Sequence, residues 1–422
     1  MKINKLKKTK KTEKIEIFID GMHSSGKKTI QKILLDKYND KIKILENNNF
    51  FREQIKLYWD NWKEKCEISN NTYIIFLECN PEECINKRKS IYSTSKLFYE
   101  RYKYRQFSCY YGNINLINTS NLNENKITQI IEEIIFNNNN DYLIPKLDSI
   151  TEENFEKFPI VIDSNSKIIR KYNDKYHIIK LKPNVYSFIK KGQNEILGTE
   201  IERMKMTKDI IELISRHEIP HSYYYIGKKY IWTKNLDNEK DISNVEVIVK
   251  KYFIGSDKHN YYALEKYKNR FNKNIVNGEL NEYNKLLVRF DFRNPDFNPI
   301  TNQVLGDFTM CDDLSDEFIN VEKSKKLVKK TFQIFSNLCD KFNYILFDCC
   351  FCVTVNGEEI YAEISQDCIR LRPKNLNELN DEEKKIWSTG GSSENYVLYR
   401  YKTITEKLNT TLKKIYFEKN NK

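Results

Sequence analysis

Two stretches of this sequence set residues where anion chemistry can be done. In the first, Ile15-Glu16-Ile17-Phe18-Ile19-Asp20-Gly21-Met22-His23-Ser24-Ser25-Gly26-Lys27-Lys28-Thr29, a glycine-bounded loop separates an apolar run from a helical pattern. Gly21 and Gly26 let backbone amides come close to a phosphate, Lys27 can reach the outer phosphates, and a helix N-terminus behind the loop favours negative charge. Ser25 and Thr29 complete the candidate phosphate-binding set. A loop of this type usually holds magnesium through a Ser or Thr hydroxyl directly after the lysine, but Lys28 stands there. Thr29, one place later, points in another direction along the helix. In the second stretch, Glu246-Val247-Ile248-Val249-Lys250-Lys251-Tyr252-Phe253-Ile254-Gly255-Ser256, a strand runs into a glycine-serine turn whose amide and hydroxyl donors suit a phosphate.

The elements that must position these residues follow from periodicity. Ile15 to Ile19 and Tyr73 to Leu77 read as strands, a helix opens near Lys27, and further helices follow, an alternation that predicts an α/β unit with a parallel sheet. The asparagine-rich stretch Asn137 to Asp141 breaks the pattern. Beyond Phe158 the character changes to antiparallel strands, such as Tyr176 to Leu181 and Val245 to Phe253, mixed with amphipathic helices: an α+β pattern. The expected organisation is a basic tail at 1–13, an α/β unit at 14–136, a linker at 137–159 and an α+β unit at 160–416.

Composition narrows the function classes. The 422 residues suffice for two ordinary domains, and 40% of them are hydrophobic. No run approaches the roughly 18 apolar residues of a membrane helix, so the expectation is a cytoplasmic protein with no membrane partner. The ten cysteines are scattered and several sit inside apolar runs, as reduced core residues do. Cys349 and Cys352 have the spacing of half a zinc site, but no second pair follows, and period-two alternation explains them as strand residues. The net charge of +12 reflects lysine spread along the whole chain. The tyrosines and lysines at Tyr99 to Tyr111 recur at helical spacing, which suits packing, so nucleic acid is not the expected partner.

The first unit resembles the thymidylate kinase and deoxynucleoside kinase family. Beyond the loop, the resemblance rests on Tyr73-Ile74-Ile75-Phe76-Leu77-Glu78-Cys79-Asn80-Pro81-Glu82 followed by Arg88, on Phe98-Tyr99-Glu100-Arg101-Tyr102, and on Asn115-Leu116-Ile117-Asn118-Thr119-Ser120-Asn121-Leu122. It implies ATP binding by Gly21, Ser25, Gly26, Lys27 and Thr29. The long acceptor-holding section of such kinases is reduced to residues 30–72, where Glu46, Arg52 and Glu53 are the stand-ins.

The second unit resembles phosphoribosylaminoimidazole-succinocarboxamide (SAICAR) synthetase. Ser256 after the glycine matches that family's phosphate-holding serine, while Lys250 replaces an arginine. Ile219-Pro220-His221 follows a helix containing Lys205, the segment Phe290 to Pro299 and the strand Ile345-Leu346-Phe347-Asp348 come in family order, and Glu363-Ile364-Ser365-Gln366-Asp367-Cys368-Ile369-Arg370-Leu371 is similar to a signature segment. Gly390-Gly391-Ser392-Ser393 and the following helix resemble the family's end. The resemblance implies ATP and magnesium as cofactors, with phosphorylation of a substrate carboxylate and displacement of the phosphate by an amine. Its implied roles are catalytic for Asp348, Glu363 and Asp367, substrate-binding for Lys250, Ser256, Arg370 and Lys205, and ATP-binding for Lys167. Expected metal and lysine positions fall instead at Cys350, Cys352 and Ala362, which leaves Asp348 and Glu363 as the nearest carboxylates and the metal ligands unassigned. Two function classes follow: an ATP-dependent ligase joined to a degenerate kinase-like unit, or an inactive nucleotide-binding module with a regulatory or scaffold role. The expected ligand in both is a nucleotide or nucleotide-like small molecule, and a homo-oligomer is compatible with either.

Overall fold

The computed structural model of the chain describes residues 14–45, 72–187, 192–236, 240–252, 282–295, 298–303, 305–388 and 394–417. Ser256, Glu46, Arg52, Glu53 and the segment 390–393 lie outside these residues. The chain divides into two compact units, Met1–Ser149 and Ile150–Lys422. Among the described residues, no helix is long and apolar enough to cross a membrane.

Unit 1 runs β1 (Ile15–Gly21), α1 (Lys27–Tyr38), β2 (Ile42–Ile44), β3 (Thr72–Glu78), α2 (Pro81–Asn86), α3 (Thr94–Tyr111), β4 (Ile114–Asn118), α4 (Glu124–Asn137) and β5 (Leu143–Ile144). The sheet order is β2-β1-β3-β4-β5. Side chains alternate across β3: Ile75 and Leu77 join the core formed with α1 and α4, whereas Phe76 meets Tyr104 of α3 edge-on at 5.1 Å. Tyr102, Tyr104 and Phe107 are buried, so the aromatic spacing of this helix serves packing. Helix α4 shows the period plainly, with Ile127, Ile130, Ile131, Ile134 and Ile135 on its buried face. Asparagine and serine caps define the helix starts: Asn80 ahead of Pro81, Ser93 and Asn123 each accept a backbone amide.

The sheet is mixed and not parallel throughout, because β5 pairs antiparallel with β4. The asparagine-rich stretch is the reason. Asn138 takes the left-handed conformation at φ 51° after α4, the Asn139 amide donates to the Glu133 carbonyl at 3.1 Å, and the chain turns back onto the sheet. The stretch expected as a linker is thus structured: Ile144 and Leu147 are buried in unit 1, and Phe155 anchors a helix of unit 2. Its apolar residues are few, and their burial outweighs the turn-rich composition around them.

Unit 2 opens with α5 (Glu152–Lys157) and the strands β6 (Ile160–Asp163), β7 (Lys167–Lys171), β8 (Tyr176–Leu181), β9 (Asn184–Ser187) and β10 (Gly192–Glu195). Helix α6 (Thr199–Arg216), β11 (Tyr223–Ile226), β12 (Ile231–Lys234), β13 (Val245–Tyr252), β14 (Glu282–Phe292) and β15 (Phe308–Met310) follow. Then come α7 (Asp312–Asp316), α8 (Val321–Lys341), β16 (Tyr344–Val353), β17 (Ile360–Tyr361), β18 (Ile369–Pro373), α9 (Asp381–Ser388) and α10 (Glu394–Phe417). Among the described residues, every pairing between these strands is antiparallel, in a β11-β12-β8-β7-β6 sheet, a β9-β10 hairpin and a β15-β14-β13-β16-β17 sheet in which β18 also pairs with β16. Helix α8 covers one face of β16, where Phe351 lies 6.2 Å from Phe335. Alternation then sends Asp348, Cys350 and Cys352 to the opposite face. Cys349 and Cys352 therefore point apart, and among the described residues no cluster of His, Cys, Asp and Glu could hold a metal ion.

Two substitutions test what joins unit 1 together. A Cβ on Gly21 would stand 2.0 Å from the Leu77 carbonyl oxygen, at a φ of +141°, so Gly21→Ala should cost about 3 kcal/mol in urea unfolding. Glu78, 1% exposed, accepts from Arg105 Nε at 2.7 Å and Nη2 at 2.8 Å and pairs with Arg101 at 3.4 Å. Burial alone would raise its pKa, but the two guanidiniums win and hold it at about 2, against an ordinary 4.5. This depressed carboxyl stabilises fully above pH 4.5 and loses its contribution as pH falls towards 2. Glu78→Gln should therefore cost about 3–5 kcal/mol at neutral pH. The deficit should shrink as the titration is carried down through that window.

Candidate functional site

In unit 1 the loop after β1 leads into α1 with no side-chain cap and no acidic residue in the first turn. The N-terminal amides of α1 therefore keep their capacity for an external anion. Gly26 is left-handed at φ 91° and Ser24 at φ 59°, which curls the loop. Lys27 folds back, donating to the carbonyl oxygens of Gly21 at 2.6 Å and Met22 at 2.7 Å. The buried Ser25 hydroxyl donates to the Met22 carbonyl at 2.8 Å, so it braces the loop from within. Lys28 and Thr29 are exposed on the first turn.

Residues that sequence reasoning did not assign to the site brace this loop from outside. Glu100 of α3 accepts from the His23 backbone amide at 3.0 Å and meets its Nδ1 at 2.7 Å. Arg88 donates to the Ser24 carbonyl at 3.1 Å and the Thr119 carbonyl at 3.0 Å, tying the loop to the turn after β4. Beside them opens a cavity of about 350 Å³ lined by Ser24, Gly26, Thr29, Arg88, Leu122 and Glu124. That volume lies within the range of small-ligand pockets.

In unit 2 the polar residues gather where β13, β16 and β18 run side by side. Lys250 of β13 faces Asp348 of β16, which faces Arg370 of β18, as direct cross-strand neighbours. Asp348 is fully buried, with one carboxylate oxygen 3.1 Å from Lys250 Nζ and the other 2.6 Å from Arg370 Nη1. Burial lowers the pKa of Lys250, against the pull of Asp348. Arg370 is 33% exposed, so it forms the accessible end of this row.

A second cluster centres on Arg203, 0% exposed on α6. Its Nε and Nη2 donate to the two Glu363 oxygens at 2.5 Å each, its Nε lies 3.1 Å from Asp367, and Nη1 donates to the Lys182 carbonyl at 2.8 Å. Ser365 donates to Glu363, and the Tyr401 hydroxyl donates to Asp367. Burial would raise the Glu363 pKa, but Arg203 pulls it below the ordinary value; for Asp367 burial wins and the pKa rises. Ala362, just before Glu363, sits at φ 62°, a conformation costly for a residue with a Cβ. Lys167, at the start of β7, adds its positive charge to Glu363, Asp367 and Cys352.

Of the positions expected to work together, Asp348, Lys250 and Arg370 form one row, and Glu363, Asp367 and Lys167 share the other cluster. Lys205 joins neither: it is 57% exposed and pairs with Glu202 on its own helix at 2.8 Å. Arg203, on the same helix, sits instead at the centre of the second cluster, and a signal for its burial lies in the sequence. Arg203, Thr207, Ile210 and Ile214 repeat at helical spacing and are all buried. A charge in such a stripe calls for a buried partner.

Magnesium, implied by the resemblance, does not fit the donors present. Both oxygens of Asp348 and of Glu363 engage fixed cations, and burial pushes the thiols of Cys350 and Cys352 up, keeping them neutral. Magnesium requires open oxygen ligands in near-octahedral geometry, which neutral thiols do not supply.

No family model matches the chain. It is 24% identical over 277 residues to the bifunctional cordycepin biosynthesis cluster protein 3 of Cordyceps militaris, covering 55% of this chain and 31% of that protein. The chain thus spans about a third of the length of this curated relative. Among solved structures, it is similar to the phosphoribosylaminoimidazole-succinocarboxamide synthase of Ehrlichia chaffeensis, at 18% identity and a TM-score of 0.45, over 60% of this chain and 98% of that one. A SAICAR synthetase in complex with ADP matches at 18% identity and a TM-score of 0.45, over 59% and 97%. The Saccharomyces cerevisiae SAICAR synthase complexed with SAICAR matches at 10% and 0.40, over 61% and 94%.

The Arg203 cluster gives a direct test of what holds this site. Arg203→Met should cost about 3–5 kcal/mol in urea unfolding, since it leaves Glu363 buried without its partner. Arg203→Lys should recover only part of the loss, because an ammonium lacks the two-pronged fork.

Proposed function

We propose that this chain is a protein of nucleotide metabolism with two nucleotide-handling units. Unit 1 holds nucleotide phosphates at the Gly21–Lys27 loop in the manner of a P-loop kinase. Unit 2 is an ATP-dependent ligase unit of the SAICAR synthetase kind, acting on a phosphate-bearing carboxylate. The observation that carries the reading is the loop itself: an uncapped helix N-terminus, a lysine folded onto the loop carbonyls and a nucleoside-sized cavity alongside.

In unit 2, the reaction transfers the terminal phosphoryl group of ATP to a carboxylate oxygen and releases ADP; an amine nitrogen then attacks the acyl carbon and loses a proton to solvent, and phosphate leaves as the amide forms. Arg370 and Lys167 are the cations that neutralise the charge of the transferred group, since phosphoryl transfer depends on positioning and charge stabilisation. Asp348 holds Arg370 in place, and Lys250 holds Asp348. Ser256 remains a candidate phosphate contact by its place after Gly255. One observation favours a second reading for this unit, a nucleotide-binding module with a regulatory or scaffold role: Asp348, Glu363 and Asp367 all engage protein groups, which leaves no carboxylate among them to act as a base.

Calorimetric titration of the full chain with ATP tests the proposal. Wild type should show two binding events, Lys27→Ala should lose one and Arg370→Ala the other, each weakened by about tenfold or more. Binding unchanged by both substitutions, or absent altogether, would remove the proposal. Amide formation from a carboxylate nucleotide and an amine, assayed alongside, separates the ligase from the module.

A further inference from the structure

We infer that unit 2 takes the phosphates of its nucleotide without a bound divalent cation, with Lys167 and Arg370 supplying the charge that a metal would otherwise bring. The inference rests on the reading of unit 2 as a nucleotide-binding unit and concerns what that unit requires.

The argument begins with what a metal would have to displace. Drawing Asp348 towards magnesium would break its contacts with Lys250, whose side chain is 4% exposed, and with Arg370. Drawing Glu363 away would strand Arg203, 0% exposed and held by the same carboxylate through two nitrogens. Either move breaks a buried ion pair, which is costly. Asp367 is held between Arg203 and the Tyr401 hydroxyl, and Glu246, the cross-strand neighbour of Cys352, pairs with Arg293 at 3.2 Å. Among the described residues, Asp348, Glu363, Asp367 and Glu246 are thus each engaged by protein groups.

The same arrangement suits a polyanion. Arg370 uses one amino group on Asp348 and is a third exposed, which leaves the rest of its planar set of donors for phosphate oxygens. Lys167 stands at the start of β7, and the anions with which it interacts, Glu363 and Asp367, are already held by Arg203. The Ser164 amide and hydroxyl both donate to the Lys167 carbonyl at 3.0 Å, which fixes the hairpin turn that carries this lysine. Arg370, at the accessible end of its row, and Lys167, beside the Arg203 cluster, add positive charge to pairs that already neutralise one another.

The test uses the full chain carrying Lys27→Ala, so that the loop of unit 1 is silenced, titrated with ATP by calorimetry in EDTA and in excess magnesium. The affinity should agree within about threefold between the two buffers, and adding Lys167→Ala or Arg370→Ala should weaken it by about tenfold or more in both. Binding seen in magnesium and lost in EDTA would overturn the inference while leaving the nucleotide-binding reading intact. Binding in neither buffer would remove that reading, and the inference with it. The buffer comparison needs no substitution in unit 2, so it stands even where a unit 2 variant fails to fold.

Discussion

Unit 2 is organised around a guanidinium with no access to water. Arg203 reaches from α6 to the Glu363 and Asp367 carboxylates and to carbonyls of the β6–β8 sheet, so a helix, a sheet and the segment before β18 meet on one side chain. A buried charge of this kind adds little net stability compared with apolar packing, but it is intolerant of misplacement, because any partner that moves leaves an uncompensated ion. The consequence is geometric: Glu363 and Asp367 are fixed relative to α6, and α10 is drawn in through Tyr401. Gln366 strengthens the junction, donating to the Glu202 carbonyl at 3.3 Å and to the Thr405 hydroxyl at 2.8 Å. Against this rigid side the row Lys250, Asp348 and Arg370 presents its exposed end.

Unit 1 solves a related problem with different means. Its loop is held by carbonyls and carboxylates from several elements: Lys27 on the loop's own carbonyls, Glu100 on His23, and Arg88 on Ser24. Each contact fixes backbone and leaves the first turn of α1 without a cap. A loop pre-shaped in this way loses little conformational freedom when an anion arrives. In both units charged side chains are thus paired around the candidate site.

Much of this was legible in the sequence. The strands at Ile15 and Tyr73, the helix behind Lys27 and the buried strand at Asp348 declare themselves by periodicity, and the grouping of Asp348, Lys250 and Arg370 follows from resemblance in motif order. Three features were not. β5 was hidden because two residues are too few for a periodic signal, and the asparagines that turn the chain read as an ending. Lys205 was named and Arg203 was not, because motif order locates a helix but not its buried face, which the Arg203, Thr207, Ile210, Ile214 stripe reveals. The braces Glu78, Glu100, Arg101 and Arg105 depend on how α3 lies across the sheet, and pairings distant in sequence carry no local pattern.

The most direct measurement of the central claim, that each unit carries its own nucleotide site, is hydrogen exchange of the full chain with and without saturating ATP. Three segments should be slowed, the loop and first turn at residues 21–30 in unit 1, and the hairpin at 163–168 together with 362–370 in unit 2. Exchange unchanged in all three, or slowed only in segments remote from them, would contradict the account.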